Sequence, residues 1–197
     1  GGFYPNLQGR IACNLFFESS TRTQYSFQVA EEKLGMRVIS FDPQISSMNK
    51  QETFYDTVKT FDSFGVDAIV IRHSQNEYYK ELEGHVKAAI LNGGDGTGNH
   101  PTQSLLDLLT IKQEFKKFAG LKVAIIGDVA HSRVAHTNYN VMRKLGMEVV
   151  ISGPEEYMDK GYETEEFNRA ISSSDVVMLL RIQFERDATL GDMTKEQ

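Results

Sequence analysis

The segment Glu18–Thr23 has the residue types that bind a phosphate group. It reads Glu-Ser-Ser-Thr-Arg-Thr and stands between an apolar run and a segment with helical periodicity. Hydroxyl and backbone N–H groups at a helix N-terminus form an anion site, to which an arginine adds a bidentate clamp. The alternative is that these Ser and Thr side chains only cap the helix. The segment therefore predicts either a phosphate site or an ordinary N-cap.

Arg72 and the pair His100 and Gln103 also follow apolar runs. Arg72 comes directly after Ala-Ile-Val-Ile, where an arginine is costly unless it meets an anion. The alternative is a surface arginine that begins a loop. His100 and Gln103 follow the glycine-rich segment 92–98 and are three residues apart, so they share one face at a helix start. There they could polarise a carbonyl group and hold an amide, or merely belong to a glycine-rich turn with a capping residue.

The second half of the chain contributes Arg133, Arg181 and Gln183. Arg133 begins a helical segment after an apolar run and its loop, so we expect it to point into a crevice at a strand end. Arg181 and Gln183 are two residues apart and project to the same side if the backbone is extended there. The loop before Arg133 has one glycine in place of G-x-G-x-x-G, and the sequence has no Walker A motif. A nucleotide-binding oxidoreductase and an NTPase are therefore disfavoured.

Composition narrows the class of ligand further. The 197 residues carry a net charge of −6 with both signs mixed along the sequence, which argues against a nucleic-acid partner. One cysteine, Cys13, fits a reducing, cytoplasmic compartment, and no apolar run approaches the roughly 20 residues of a membrane span. The five histidines show no H-x-x-x-H spacing, so we expect neither a metal nor a cofactor. Four arginines at strand ends (Arg22, Arg72, Arg133 and Arg181) instead indicate a crevice for a multiply anionic small ligand.

Apolar runs and helical patterns alternate along the chain and supply a scaffold for these residues. The predicted strands are Ile11–Phe17, Arg37–Phe41, Ala68–Arg72, Ala89–Asn92, Lys122–Ile126, Glu148–Ser152 and Asp175–Arg181. The predicted helices are Thr23–Leu34, Glu52–Phe64, Thr102–Phe115, Ser132–Leu145 and Thr164–Ser172. This order predicts an α/β fold with two doubly wound domains, each with a central parallel sheet, linked by a long helix. We expect domains at residues 1–104 and 105–197.

Two motifs resemble a known family of transferases. Phe16–Thr23 (FFESSTRT) resembles the carbamoyl-phosphate signature of the aspartate/ornithine carbamoyltransferase family, and residues 100–103 (HPTQ) resemble its second motif. The threonine at position 102 resembles the aspartate branch of the family, because the ornithine branch usually has Cys at that position of the motif. Further similarities to that branch lie in the segment Ser46–Thr53, in the loop that holds Arg133, and in Arg181 with Gln183.

The resemblance implies transfer of a carbamoyl group from carbamoyl phosphate to the α-amine of aspartate, an early step of pyrimidine biosynthesis. The implied carbamoyl-phosphate residues are Ser20, Thr21, Arg22, Thr23, Arg72, His100 and Gln103. The last five are the implied catalytic residues: Thr23, Arg72 and His100 would polarise the carbonyl group, and Gln103 would hold the carbamoyl nitrogen. The implied aspartate residues are Lys50, Arg133, Arg181 and Gln183. Ser46 (or Ser47) and Lys50 would reach into a neighbouring subunit's site, which implies a homotrimer.

Other functions stay open beside this one. They are a non-catalytic carbamoyltransferase-like module and a carbamoyltransferase for another amino acid, such as ornithine. The sequence also leaves open whether a regulatory chain or a dihydroorotase is a further partner. Compared with the family, we expect the first domain to lack its N-terminal helix and the second to be incomplete at its C-terminal end. Gln51 departs from the family, since many members have Gly after the loop lysine.

Overall fold

The computed structural model describes residues 5–41, 52–96, 98–158 and 160–180. The chain divides into two compact units, residues 1–102 and 103–197, a boundary two residues before the one expected from the sequence. Each unit has its own sheet and its own core. Across the described ranges, no helix combines the length and the apolar character that crossing a membrane requires.

A parallel sheet of four described strands forms the centre of the first unit. In chain order its elements are β1 (Ile11–Phe16), α1 (Thr21–Lys33), β2 (Arg37–Ser40), α2 (Phe54–Ser63), β3 (Ala68–His73), a 3₁₀ turn (Tyr78–Glu81) and β4 (Ala89–Asp95). The strands lie in the order β2-β1-β3-β4, and all are parallel. Leu15, Ile69 and Ile71 are fully buried, as expected for parallel strands that are covered on both faces.

The second unit is built around a parallel sheet of three described strands. Its elements are α3 (Pro101–Phe115, whose first two residues belong to the first unit), β5 (Lys122–Ile126), α4 (Arg133–Lys144), β6 (Glu148–Ser152), a 3₁₀ turn (Glu155–Tyr157), α5 (Phe167–Ser173) and β7 (Val176–Leu179). The sheet order is β6-β5-β7. Its core contains Leu108 and Ile111 of α3, packed with Val123 and Ile125 of β5.

Both sheets contain a point at which the strand order reverses, and such points are where open α/β sheets bind ligands. In the first unit the point lies between β1 and β3, where Phe16 pairs with Arg72 at the carboxyl ends of the two strands. In the second unit it lies between β5 and β7, where Ile126 pairs with Leu179. The loops that leave these strands are therefore the ones whose side chains can meet a ligand.

The predicted fold class is confirmed, and each predicted strand and helix is present within three residues at either end. The sequence missed the two 3₁₀ turns. In α1, Ala30 is exposed, whereas the neighbouring Glu31 is buried. Glu31 faces inward because it accepts a hydrogen bond from Asn14 Nδ2 of β1 at 2.9 Å.

Glu31 is a buried carboxyl group in an unfavourable setting. Burial raises its pKa, and the hydrogen bond from Asn14 offsets only part of that rise. Within the described part of the chain, the Asn14 side-chain oxygen is also buried without a hydrogen-bond partner. A neutral amide at position 31 could both accept from the Asn14 nitrogen and donate to its oxygen.

We therefore expect Glu31→Gln to stabilise the protein by about 1 kcal/mol at neutral pH, the net contribution of one hydrogen bond. Because the folded state raises the pKa of Glu31, it binds that proton more tightly than the unfolded state does. Stability due to this group thus falls as pH rises through the raised pKa. The advantage of the variant should shrink as pH falls towards about 4, where Glu31 is protonated in both states. Urea unfolding across this pH range measures it, with the exposed Glu83→Gln as control; a pH-independent difference would contradict the assignment.

Candidate active site

The N-terminus of α1 is not a conventionally capped helix end. Ser20 occupies the N-cap position, yet among the described residues its side chain makes no capping hydrogen bond to the helix backbone. By contrast, Ser132 caps α4 by accepting from the N–H of Ala135 at 3.2 Å. The first-turn N–H groups of an α-helix have no acceptor within the helix, so those of α1 can bind an external anion.

Arg72 lies at the carboxyl end of β3 and turns its guanidinium group towards this helix terminus. Its Nη1 donates to Ser20 Oγ at 3.0 Å and lies 3.4 Å from Thr23 Oγ1. Its Nε lies 3.6 Å from Glu18 Oε2, and only 13% of the side chain is exposed. The structure thus brings Ser20, Thr23 and Arg72 together, whereas Thr21 and Arg22 stand exposed in the same first turn.

Positive charge at the end of β3 comes from Arg72 and not from the next residue, His73. The His73 ring packs against Phe54 at 4.6 Å and Phe17 at 5.4 Å between ring centroids. This burial lowers the pKa of His73, so the imidazole is neutral at physiological pH. The aromatic contacts give His73 a packing role, and the guanidinium group is the cation that an anion would meet there.

The loop from β4 to α3 carries His100, and Asp95 holds that loop in shape. Asp95 is fully buried. Its Oδ1 accepts from the Asn99 N–H at 2.8 Å and from Asn92 Nδ2 at 3.1 Å, and its Oδ2 accepts from the Glu77 N–H at 2.9 Å. These bonds fix the position of Asn99, the residue directly before His100. His100 itself is 7% exposed. Nothing in the sequence pattern distinguished Asp95 from an ordinary turn residue.

Gly96 in this loop has a specific steric reason to be glycine. Its φ is +47°, and a Cβ there would lie 2.7 Å from the carbonyl oxygen of Ser74. The close approach lets the Gly96 N–H donate to the His73 carbonyl oxygen at 2.9 Å. The glycine-rich segment is therefore a tight turn that joins β4 to the end of β3, and it also delivers His100 to the start of α3.

In the second unit, the loop after β5 places Arg133 at the start of α4. Asp128 Oδ1 accepts from the His131 N–H at 3.2 Å and lies 2.9 Å from His131 Nδ1, which fixes the loop. Thr137 Oγ1 donates to the Arg133 carbonyl oxygen at 2.9 Å. Arg133 is only 5% exposed. It begins α4 directly after the β5 loop, where the sequence predicted it.

Gln103 lies in the first turn of α3, and its amide has a fixed partner. Its Nε2 donates to Asp107 Oδ1 at 2.9 Å, and Asp107 Oδ2 accepts from Asn138 Nδ2 of α4 at 2.7 Å. The sequence did not indicate a role for Asp107 or Asn138. The i, i+4 spacing of Gln103 and Asp107 was an available signal, but the link to Asn138 spans 31 residues.

Four predicted site residues, Ser46, Lys50, Arg181 and Gln183, lie outside the described residues. The described ranges contain no group of three or more His, Cys, Asp or Glu side chains arranged to hold a metal ion.

Comparison with known proteins identifies the family of the chain. The family described as aspartate/ornithine carbamoyltransferase, carbamoyl-P binding domain, matches residues 2–113, more than half of the chain. The chain belongs to this family.

Two bacterial relatives of this chain are named as catalytic subunits. The chain is 49% identical over 190 residues to the aspartate carbamoyltransferase catalytic subunit of Staphylococcus epidermidis, covering 95% of this chain and 64% of the relative. It is 52% identical over 190 residues to that of Listeria monocytogenes, covering 94% and 62% respectively. The chain thus spans less than two thirds of the length of these relatives.

Solved structures of aspartate transcarbamoylase from Trypanosoma cruzi share the carbamoyltransferase fold. The complex with carbamoyl phosphate has a TM-score of 0.86 at 35% identity, covering 94% of this chain and 64% of that one. The complex with carbamoyl aspartate and phosphate has a TM-score of 0.85 at 35% identity, covering 94% and 66%.

We expect Asp95→Asn to destabilise the protein by about 2–3 kcal/mol, because one buried acceptor oxygen becomes a donor that faces an N–H donor. Urea unfolding measures the change. The matched control is Glu77→Gln, which removes only the exposed ion pair with Lys80 and should cost under about 0.5 kcal/mol. Equal effects of the two substitutions would show that Asp95 does not hold the loop.

Proposed function

We propose that the chain acts as an aspartate carbamoyltransferase catalytic chain. It transfers the carbamoyl group of carbamoyl phosphate to the α-amine of L-aspartate and yields N-carbamoyl-L-aspartate and phosphate, an early step of pyrimidine biosynthesis. The observation that carries the proposal is the contact of Arg72 with Ser20 and Thr23 at the uncapped end of α1. The names of the bacterial relatives, and the ligands in the Trypanosoma cruzi structures, support the choice of substrates.

The phosphate group of carbamoyl phosphate binds at the N-terminus of α1. Ser20, Thr21 and Thr23 supply hydroxyl groups, the first turn supplies backbone N–H groups, and Arg22 supplies a guanidinium group. The exposure of Arg22 and Thr21 supports this role, because both can reach a ligand from solvent. Arg72 approaches from β3 and bridges the phosphate and the carbonyl oxygen.

The carbonyl oxygen is polarised by Thr23, Arg72 and His100. These donors stabilise the negative charge that develops on that oxygen when the neutral α-amine of aspartate attacks the carbonyl carbon. The C–O bond to phosphate then breaks, and the departing phosphate takes the proton of the amine. Positioning and electrostatic stabilisation thus account for most of the rate, and the protein need not supply a general base.

Aspartate binds through the second unit, where Arg133 begins α4 after the loop from β5. A nearly buried guanidinium group at the strand-order reversal is suited to a carboxylate. Arg181, Gln183 and Lys50 complete the set that holds the two carboxylates. Lys50 and Ser46 come from a neighbouring subunit, so the active form is a homotrimer. The single cysteine, Cys13, supports a cytoplasmic location.

A carbamoyl-transfer assay that compares aspartate with ornithine tests the proposal. We expect carbamoyl-aspartate from the first and no product from the second. Arg22→Ala should lower turnover by about a hundredfold or more, because it removes a cation from the phosphate. Arg37→Ala, which removes an exposed arginine on β2, is the matched control and should leave turnover unchanged. Activity with ornithine alone would contradict the aspartate assignment.

His100→Ala separates a carbonyl polariser from a residue that only binds substrate. We expect kcat to fall by about a hundredfold while the affinity for carbamoyl phosphate changes little, because the charge on the oxygen develops only in the transition state. Steady-state kinetics together with equilibrium binding measure the two effects. A loss confined to KM would be inconsistent with the role of His100.

The non-catalytic alternative is tested by calorimetry with N-(phosphonacetyl)-L-aspartate, which combines features of both substrates. We expect the full-length protein to bind it. A protein that neither binds this compound nor turns over aspartate would be a carbamoyltransferase-like module without the activity.

A further inference from the structure

Three side chains of the second unit form a hydrogen-bonded series that ends at Gln103. Asn138 of α4 is fully buried, and its Nδ2 donates to Asp107 Oδ2 at 2.7 Å and lies 3.4 Å from Met178 Sδ. Asp107 Oδ1 accepts from Gln103 Nε2 at 2.9 Å. The series therefore runs from β7 and α4 to the first turn of α3.

We propose that Asp107, held by Asn138, is a positioning residue that sets the orientation of the Gln103 amide for the carbamoyl nitrogen of the substrate. The inference rests on the proposed function, since it requires that Gln103 bind carbamoyl phosphate. Asp107 itself does not touch the substrate.

The chemistry of the carboxylate decides which end of the amide faces it. An ionised carboxylate only accepts hydrogen bonds, so the NH₂ end of Gln103 must face Asp107. The amide oxygen then lies at the other end of the amide plane. A carbamoyl NH₂ group donates hydrogen bonds and needs such an oxygen as its acceptor. If the Gln103 amide had the opposite orientation, its NH₂ group would face the NH₂ group of the carbamoyl substrate.

Asn138 in turn decides how Asp107 is held. Its Oδ1 is buried and, in the part of the chain that the structure describes, has no hydrogen-bond partner. Turning the amide over would set this oxygen against the Asp107 carboxylate, so the bond to Asp107 maintains the observed orientation. An isolated Gln–Asp pair one turn apart stabilises a helix only weakly. The bond to a fully buried asparagine ties this pair to α4 as well.

Asp107→Asn tests the inference because it keeps the shape and removes the acceptor-only character. The introduced asparagine must aim its NH₂ group at either Gln103 or Asn138, both of which present NH₂ groups there. The contact of Asn138 Nδ2 with Met178 Sδ favours the present orientation of Asn138, so the Gln103 amide is the one that turns over, and its acceptor is exchanged for a donor. The probes are phosphonoacetamide and acetonylphosphonate, stable analogues of carbamoyl phosphate and acetyl phosphate that differ by NH₂ against CH₃.

Calorimetry on the full-length protein should show that the unsubstituted protein prefers phosphonoacetamide. In Asp107→Asn we expect affinity for phosphonoacetamide to fall about tenfold, the loss of roughly one hydrogen bond. Affinity for acetonylphosphonate should stay within about twofold, because its methyl group makes no hydrogen bond to the amide. The control Glu114→Gln, at an exposed position on the same helix, should change neither affinity.

The exchange variant Asp107→Asn with Asn138→Asp provides the rescue. The introduced aspartate accepts from the introduced asparagine, whose oxygen is then turned towards Gln103 Nε2. Preference for phosphonoacetamide should return to within about threefold of the unsubstituted protein. If Asp107→Asn does not fold, this exchange variant decides alone, and a lost preference overturns the inference.

The outcomes also separate this inference from the proposed function. An unsubstituted protein that binds neither phosphonate would overturn both. A protein that prefers phosphonoacetamide, with Asp107→Asn weakening both ligands equally or neither, would overturn the positioning role and leave carbamoyl transfer standing.

Discussion

The hydrogen bond from Arg72 to Ser20 is the contact on which the first unit's site depends. It exists because β1 and β3 are parallel neighbours, with Phe16 opposite Arg72, so the loop into α1 leaves the sheet where β3 ends. Arg72 engages the Ser20 hydroxyl that would otherwise cap α1, and the helix terminus stays available to an anion. Burying most of a guanidinium group costs free energy unless a negative charge lies nearby. Glu18 Oε2 supplies one such charge at 3.6 Å from Arg72 Nε, and a bound phosphate would supply another.

Much of this scaffold could be read from the sequence because buried parallel strands are continuous apolar runs with turn residues at their ends. The motif 18–23 was placed correctly at a strand-to-helix junction for that reason. Whether Ser20 caps the helix or serves a ligand was not decidable, because both roles use the same residue at the same position. The structure shows that the Ser20 side chain does not cap α1 and accepts a hydrogen bond from Arg72, which is 52 residues away in sequence.

Contacts between distant residues also explain what the sequence could not reveal. An apolar pattern cannot show that Asn14 of β1 forms a hydrogen bond that keeps Glu31 of α1 buried. In the sequence Asp95 looked like an ordinary turn residue. Its structural role comes from accepting three hydrogen bonds, from residues 77, 92 and 99, and these donors come together only in the folded loop. Polar side chains that orient other polar side chains follow no periodicity, and tertiary structure alone brings them together.

Net charge is a poor guide to this protein's ligand because its carboxylates are engaged locally. The formal charge is −6, yet the residues at the strand ends favour anions. Asp95 is directed at backbone N–H groups, and Asp128 at the N–H and the ring of His131. Asp67 accepts from the Ile11 N–H and the Arg10 guanidinium group, and these hydrogen bonds lower the pKa of Asp67. These carboxylates stabilise the loops that carry them, so a net charge counted over the whole sequence does not describe the local surroundings of the arginines.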